Sequence, residues 1–188
     1  MAEHVCPVWI GYLLASPLRK LFQNPKKILS PHVKEGMKVL DIGCAMGFFS
    51  LPLAKMVGSA GKVICVDVQA KMIESLQKRA RKAGLSDIME TRVCGQDSLG
   101  LDDLHGQIDF ALASAVVHEV PDAKKFFAEI HGPLKPTAKF LVVEPKGHVS
   151  EDDFAVTIFV AERNGFTVVG KPKVGKSRTV LLEHVKGE

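Results

Sequence analysis

The chain has 188 residues, of which 46% are hydrophobic and 24% are charged, and its formal net charge is +4 at pH 7. This length is typical of a single domain, and the apolar fraction excludes a disordered chain. Four cysteines without close spacing exclude a disulfide scaffold and favour reduced thiols. No apolar run approaches the ~18 residues of a membrane span, and the first residues lack the pattern of a secretory signal. We therefore expect a cytoplasmic protein without a membrane-spanning segment.

Short β-branched runs alternate with longer amphipathic segments, which predicts a mostly parallel sheet covered by helices. The predicted strands are residues 37–41, 62–67, 88–93, 108–113, 139–144, 167–170 and 179–184. The predicted helices are residues 8–22, 25–29, 47–56, 69–83, 122–131 and 150–164, and a helix is expected between each successive pair of the first six strands. The last two strands are joined by a short loop and should pair antiparallel. The prediction is a doubly wound α/β domain of seven strands at residues 34–188, after a helical cap at residues 1–33.

The most informative segment is Val-Leu-Asp-Ile-Gly-Cys-Ala-Met-Gly at residues 39–47. A predicted strand runs into Asp41, and a turn containing Gly43 and Gly47 leads into a helix. Glycines let the backbone approach a ligand closely, and a helix N-terminus offers free N–H groups. The next strand ends at Asp67, where a carboxylate can bind a ribose diol. Although such a turn can simply connect a strand to a helix, the combination predicts a nucleotide-like ligand.

A dinucleotide fits this turn poorly. Its fingerprint is Gly-x-Gly-x-x-Gly, but Ala45 and Phe48 stand at the second and third glycine positions. Phe48 would prevent close helix packing, and Asp41 would place negative charge beside a pyrophosphate. A nicotinamide-dependent oxidoreductase is therefore the weaker interpretation, and a ligand with a cation near Asp41 fits better.

These residues resemble the first motif of the class I S-adenosylmethionine-dependent methyltransferases, usually written Asp-x-Gly-x-Gly-x-Gly. Residues 63–67 resemble the second motif, residues 108–122 the fourth strand with its turn, and residues 134–145 the turn into strand five. The likeness spans about residues 34–188. It is closest to small methyltransferases of the ubiquinone/menaquinone-biosynthesis and arsenite-methyltransferase types. The lack of cysteine after Cys94 argues against arsenite as the acceptor.

The resemblance implies a Rossmann-like methyltransferase fold, S-adenosyl-L-methionine as cofactor and S-adenosyl-L-homocysteine as product. Asp41 and the turn would face the amino-acid half of the cofactor, Asp67 the ribose, and Val68 the adenine. The complete expected cofactor-binding set is Asp41, Gly43, Cys44, Ala45, Gly47, Asp67, Val68, Gln96, Asp97, Ser98, Ala113 and Ser114. Ala45 departs from the family's middle glycine, and its methyl group is expected to crowd the ligand or to be strained at positive φ.

Methyl transfer from a sulfonium is an in-line displacement that positioning and desolvation accelerate. A hydroxyl, phenol or carbon acid benefits from a base, whereas a soft nucleophile needs none. The candidate catalytic residues are Glu144, His118 and Tyr12, with Glu119 and His148 as further candidate bases. Tyr12 or Trp9 could place a ring over the sulfonium. The alternative for each is structural: His118 and Glu119 could simply form the helix-entry turn after the fourth strand, and the two rings could pack the cap onto the sheet.

We expect a small-molecule methyl acceptor. The alternatives are a macromolecular acceptor and a non-catalytic module that binds S-adenosylmethionine or S-adenosylhomocysteine. Basic residues concentrate near both ends of the chain, but no aromatic residues are interleaved with them, so binding of nucleic acid is possible but unsupported. The cysteines lack metal-ligand spacing, and no metal site is predicted.

Overall fold

Seven strands form one sheet in a computed structural model that describes residues 23–185. The strands are β1 (Lys38–Ile42), β2 (Lys62–Asp67), β3 (Met89–Val93), β4 (Ile108–Ser114), β5 (Leu134–Pro145), β6 (Phe166–Gly170) and β7 (Ser177–His184). The α-helices are α1 (Pro25–Leu29), α2 (Ser50–Val57), α3 (Ala70–Lys82), α4 (Ala123–His131) and α5 (Glu151–Arg163). The predicted α/β fold class is confirmed.

The strand order is β3-β2-β1-β4-β5-β7-β6. Strands β1 to β5 pair in parallel, and β7 lies antiparallel between β5 and β6. The order therefore reverses between β1 and β4, where ligands of such sheets bind beyond the carboxyl ends of the strands. Because Ile42 of β1 pairs with Ala113 of β4 and with Val66 of β2, the ends of these three strands meet at one edge.

Both faces of the sheet are covered, which explains the continuous apolar runs in its central strands. In β1, Leu40 belongs to the hydrophobic cluster on one face and Val39 to the cluster on the other. In β2, Ile64 and Cys65 divide in the same way. Within residues 23–185, no helix has both the length and the apolar character that crossing a membrane requires.

The predicted N-terminal cap falls largely outside the structure, since residues 1–22, including Tyr12, are not among the described residues. Its remaining part contains α1, as predicted, and joins the main core. Leu29 and Val33 are buried, and the ring of His32 stacks on Phe110 with 5.7 Å between the ring centroids.

Two predicted elements differ at their N-terminal ends. The helix expected from Gly47 begins at Ser50, because Gly47 has a φ of 85° and still belongs to the preceding turn. Strand β5 begins at Leu134 instead of Lys139, since Leu134 already pairs with β4 ahead of an irregularity in the register.

The expected helix between β3 and β4 is absent from the described residues. This connection contains only a short 3₁₀ helix, Asp102–Leu104. Gly100 and Gly106 flank it at a φ of 63° each, and left-handed residues interrupt a right-handed helix. The prediction of a helix at this connection is therefore wrong.

Candidate functional site

Residues 43–47, here called the glycine turn, connect β1 to the segment that leads into α2. Three of them are left-handed, with φ values of 65° at Gly43, 44° at Ala45 and 85° at Gly47. The turn is fastened to β2, because the N–H groups of Gly43 and Cys44 donate to the carbonyl of Val66 at 2.8 and 3.1 Å. Glycine tolerates this conformation whereas alanine is strained in it, so the strain expected at Ala45 is present.

Ala45→Gly is expected to raise the midpoint of thermal unfolding. A left-handed conformation costs alanine roughly 1–2 kcal/mol, which exceeds the roughly 0.5–1 kcal/mol that the flexibility of glycine costs. A net gain of about 1 kcal/mol corresponds to about 2–4 °C in a domain of this size, measurable by calorimetry. Ala70→Gly, at the start of α3, is the control and should lower the midpoint. An Ala45→Gly variant that melts at or below the wild-type temperature would contradict the argument.

Asp67 ends β2 beside the glycine turn and is only 8% exposed. Its Oδ2 accepts the N–H of Ala45 at 2.9 Å, and its Oδ1 accepts the N–H of Gln69 at 2.8 Å. Burial raises the pKa of Asp67, while both backbone hydrogen bonds act in the opposite direction. Each oxygen of an ionised carboxylate can accept a further hydrogen bond. The carboxylate is therefore held in place and retains acceptor capacity for a pair of hydroxyls.

Asp41 lies in β1, two residues before the glycine turn, and is 2% exposed. Ser50, the first residue of α2, donates its hydroxyl to Oδ2 of Asp41 at 2.5 Å. This hydrogen bond joins the strand before the turn to the helix after it. Ser50 was not among the predicted site residues, and contact between Asp41 and the amino-acid half of a cofactor stays a prediction.

The residues predicted near adenine lie around the ends of β2 and β3. The N–H of Cys94 donates to the carbonyl of Asp67 at 3.0 Å, which brings the loop with Gln96, Asp97 and Ser98 next to β2. Val68 is 41% exposed and Val93 is 54% exposed. Open apolar side chains therefore adjoin a buried carboxylate. This combination fits an adenosyl group, which has an apolar ring face next to a ribose diol.

Ala113 and Ser114 end β4 on the other side of β1. Ala113 is fully buried and pairs with Ile42, so the backbone of this strand end lies beside the end of β1. Cys44 is also buried, and burial raises the pKa of its thiol. A thiol in this state reacts poorly, and contact between Cys44 and a cofactor stays a prediction.

Glu144 determines the geometry of the β4 turn, defined here as residues 114–119. Its side chain is 1% exposed, and its Oε1 accepts the N–H groups of Val116 and Val117 at 3.2 and 2.9 Å. Its Oε2 is hydrogen-bonded to Nδ1 of His118. Glu144 therefore fixes both the backbone of the turn and the imidazole that the turn carries.

The contact with Glu144 shows which ring nitrogen of His118 carries the hydrogen. A carboxylate accepts, so Nδ1 carries hydrogen and Nε2 of the neutral ring has a free electron pair. The hydrogen bond to Glu144 raises the pKa of His118, against the opposing influence of burial. Nε2 lies 3.9 Å from Oε1 of Glu119, and the His118 side chain is 19% exposed. The ring of His148 meets it edge to face at 5.7 Å. Nε2 is thus the ring nitrogen of His118 that can accept a proton.

Glu119 follows His118 in the β4 turn, and its Oε1 lies 3.9 Å from Nε2 of that ring. Burial is the main cause that raises the pKa of Glu119; His118 lowers it, and the charges of Glu144 and Asp67 raise it further. Because the glycine turn packs on Val116 of the β4 turn and donates the N–H of Ala45 to Asp67, Asp67 and the β4 turn lie in one region at the carboxyl edge of the sheet.

Stability should depend on pH through His118. Its pKa in the folded protein is raised above the ordinary value near 6.5, so the folded state binds more protons over that interval. The stabilisation is fully present below about pH 6.5 and is lost as the pH rises through the folded pKa. The loss of unfolding free energy in His118→Gln should therefore be larger at about pH 5.5 than at about pH 8.5.

Denaturant titrations at both pH values measure this difference. Burial lowers the pKa of His131, so this residue makes the unfolding free energy fall at acid pH. His131 is present in both the wild type and His118→Gln, so its effect cancels when the two are compared. Equal losses of unfolding free energy at the two pH values would contradict a charged His118–Glu144 pair.

The glycine turn and the β4 turn touch. A Cβ atom placed on Gly43 would lie 2.2 Å from Cγ2 of Val116, so the missing side chain of Gly43 makes room for Val116. The adjacent Ala115 has a φ of 60°. The two turns that border the candidate site are thus packed directly against each other.

Sequence comparison identifies the family. Residues 33–178 match the family model of a methyltransferase domain. The chain is 32% identical over 112 residues to the demethylmenaquinone methyltransferase of Lactobacillus johnsonii, covering 60% of this chain and 45% of that protein. It is 28% identical over 112 residues to the ubiquinone/menaquinone biosynthesis C-methyltransferase UbiE of Haemophilus ducreyi, covering 60% and 42%. The matched region spans less than half the length of these curated relatives.

Solved structures agree with this result. A S-adenosylmethionine-dependent methyltransferase from Aquifex aeolicus superposes with a TM-score of 0.86 and 28% identity, covering 96% of this chain and all of that one. The geranyl diphosphate C-methyltransferase of Streptomyces coelicolor, solved with S-adenosylhomocysteine, shares the fold at a TM-score of 0.69 and 13% identity, covering 86% and 76%. The chain belongs to the methyltransferase domain family, in its class I S-adenosylmethionine-dependent form. Its cofactor is S-adenosylmethionine, as the sequence motifs predicted.

Proposed function

We propose that this protein methylates a small molecule that loses a proton in the reaction. The observation that carries the proposal is the His118–Glu144 pair, which lies in the β4 turn packed on the glycine turn that binds Asp67. The contact of Glu144 with Nδ1 leaves Nε2 of the neutral ring to accept a proton, and the same hydrogen bond raises the pKa of His118. A methyl acceptor that needs no deprotonation would make no use of this pair.

The cofactor site proposed here uses the predicted residues in the positions described above. Asp67 accepts the ribose hydroxyls, Val68 covers one face of the adenine, and the loop with Asp97 borders the adenine edge. The backbone of the glycine turn and of Ser114 faces the amino-acid half. The open Val68 beside the buried carboxylate of Asp67 supports this arrangement.

The chemistry assigned to the protein is deprotonation and alignment. S-adenosylmethionine supplies a methyl carbon on a cationic sulfur. The electron pair of the acceptor attacks this carbon in line with the carbon–sulfur bond, and the sulfur leaves as a neutral thioether. His118 takes the acceptor's proton on Nε2, and Glu144 stabilises the resulting imidazolium through Nδ1. Glu144 is 1% exposed with both oxygens hydrogen-bonded, so we assign it to positioning His118 rather than to contact with the acceptor. A contribution from Tyr12 remains a prediction, since it lies outside the described residues.

The curated relatives support a small acceptor of this kind. The name of the Haemophilus ducreyi protein specifies a C-methyltransferase of quinone biosynthesis. Methylation of a C–H position must release a proton, and therefore uses a base. A hydroxyl or phenol releases a proton in the same way, so the proposal covers carbon and oxygen acids but not thioethers or tertiary amines.

Product labelling tests the function. The purified protein is incubated with methyl-labelled S-adenosylmethionine and, separately, with the small-molecule and macromolecular fractions of a cell extract. Label transferred to small molecules supports the proposal, and mass spectrometry then identifies the product. Label in macromolecules alone would overturn it. Binding of the cofactor without transfer in either fraction would favour the non-catalytic module.

A further inference from the structure

Arg79, in the second half of α3, bonds to the glycine turn. Its Nη1 donates a hydrogen bond to the carbonyl oxygen of Met46, although the two residues are 33 positions apart in the sequence. Met46 lies between Ala45 and Gly47 and is only 2% exposed. A side chain from the helix after β2 therefore reaches the backbone of the turn after β1.

The guanidinium of Arg79 is held without a carboxylate. The residue is half-buried, and burial lowers the pKa of Arg79. Among residues 23–185, no acidic side chain lies within ion-pair distance of it. Removing a cation from water without a counter-charge is costly, so its hydrogen bond to Met46 is the interaction that offsets the cost.

This hydrogen bond fixes one peptide unit from both sides. In a trans peptide the carbonyl of Met46 and the N–H of Gly47 point in opposite directions. Arg79 holds the carbonyl, and the N–H of Gly47 donates to the carbonyl of Cys44 at 2.9 Å, which closes the turn. Rotation of this peptide would break both hydrogen bonds, so Arg79 opposes relaxation of a turn that is strained at Ala45.

Helix α3 makes two further contacts with the same region. A Cβ atom on Gly47 would lie 2.3 Å from Cδ1 of Leu76, so this part of the turn rests directly on α3. At the start of the helix, the N–H of Gln69 donates to Asp67 at 2.8 Å. The helix thus holds both the turn and the acid that are assigned to the cofactor.

We propose that Arg79 is a positioning residue of the cofactor site, which keeps the glycine turn in the conformation that binds S-adenosylmethionine. The inference rests on the proposed cofactor site but does not depend on the identity of the methyl acceptor. Arg79 does not contact the cofactor in this scheme. It acts through the Met46 carbonyl.

Calorimetric titration with S-adenosylhomocysteine tests the inference. Arg79→Met removes the donor and the charge, and should weaken binding about tenfold. Arg79→Lys and Arg79→Gln each keep an N–H donor, and should bind more tightly than Arg79→Met. Arg81→Met is the matched control, because it removes the same side chain from an exposed position of the same helix. It should stay within about twofold of the wild type.

A purely structural role would lower the melting temperature of Arg79→Met and leave the affinity of the folded protein unchanged, which would overturn the inference. Lys and Gln variants that are both as weak as the Met variant would also overturn it, because a retained N–H donor would then give no advantage. If Arg79→Met does not fold, the affinities of the Lys and Gln variants for S-adenosylhomocysteine are compared with that of the wild type instead. Asp67→Ala separates the two proposals: if it also keeps full affinity, the cofactor site itself is wrong.

Discussion

Asp67→Ala is expected to weaken binding of S-adenosylhomocysteine by roughly 1.5–3 kcal/mol, or about 10- to 150-fold in Kd. The variant loses a charged acceptor for the ribose hydroxyls. It also leaves the N–H groups of Ala45 and Gln69 without the carboxylate that holds them. Isothermal titration calorimetry measures the affinity, and circular dichroism confirms that the variant is folded.

The control for this experiment is Asp109→Ala. Asp109, near the start of β4, also accepts a backbone N–H, from Lys38 at 2.8 Å, and forms an ion pair with Lys135. It lies at the amino end of its strand, away from the candidate site, so its loss should change stability but leave affinity within about twofold. A folded Asp67→Ala protein with wild-type affinity would place the ribose elsewhere.

Glu144→Gln is expected to slow methyl transfer by about 10²- to 10⁴-fold, the range associated with loss of a general base. The amide oxygen can still accept the N–H groups of Val116 and Val117, so the β4 turn is retained. The amide NH₂ then faces Nδ1 of His118, which must become an acceptor. The proton moves to Nε2, and the electron pair that would take the acceptor's proton is gone.

Two measurements check this expectation. Nitrogen NMR reports the tautomer of His118 without any acceptor, and single-turnover rates follow once product labelling has supplied one. Affinity for S-adenosylhomocysteine should be unchanged. Glu183→Gln, an equivalent substitution in β7, should leave both the tautomer and the rate unaltered. A Glu144→Gln protein that keeps the Nδ1–H tautomer, or its full rate, would rule out the proposed positioning of the base.

Combining Glu144→Gln with His118→Gln should add little to the rate loss of either change alone, because the two residues act as a unit. Additive losses would instead indicate that Glu144 contributes to catalysis independently of the imidazole.

The sequence alone predicted the parts of the site that depend on local pattern. Buried strands on a doubly covered sheet are apolar on both faces, so their ends could be read directly, together with Asp67 and the glycines that follow β1. The strain at Ala45 was expected from the resemblance, since the family's motif has a glycine at this position, and Ala45 has a φ of 44°. These features are recognised from short segments of the chain and the motifs that they resemble.

Other features depend on which elements become neighbours in space. Arg79 and Met46 meet only because α3 packs beside the glycine turn. Glu144 was predicted as a base at a strand end, but its hydrogen bonds to the β4 turn arise because β5 lies next to β4. The short loop between β6 and β7 predicts that these two strands pair antiparallel. It does not predict that β7 lies between β5 and β6, which depends on how the sheet assembles.

The packing of Val116 against Gly43 has a consequence for efforts to change the substrate range. Libraries that diversify residue 116, two positions before the proposed base His118, will also alter the support of the glycine turn, and selection at saturating methyl donor will hide that effect. Screening each variant at both scarce and abundant donor separates a gain in acceptor use from an accompanying loss of donor affinity.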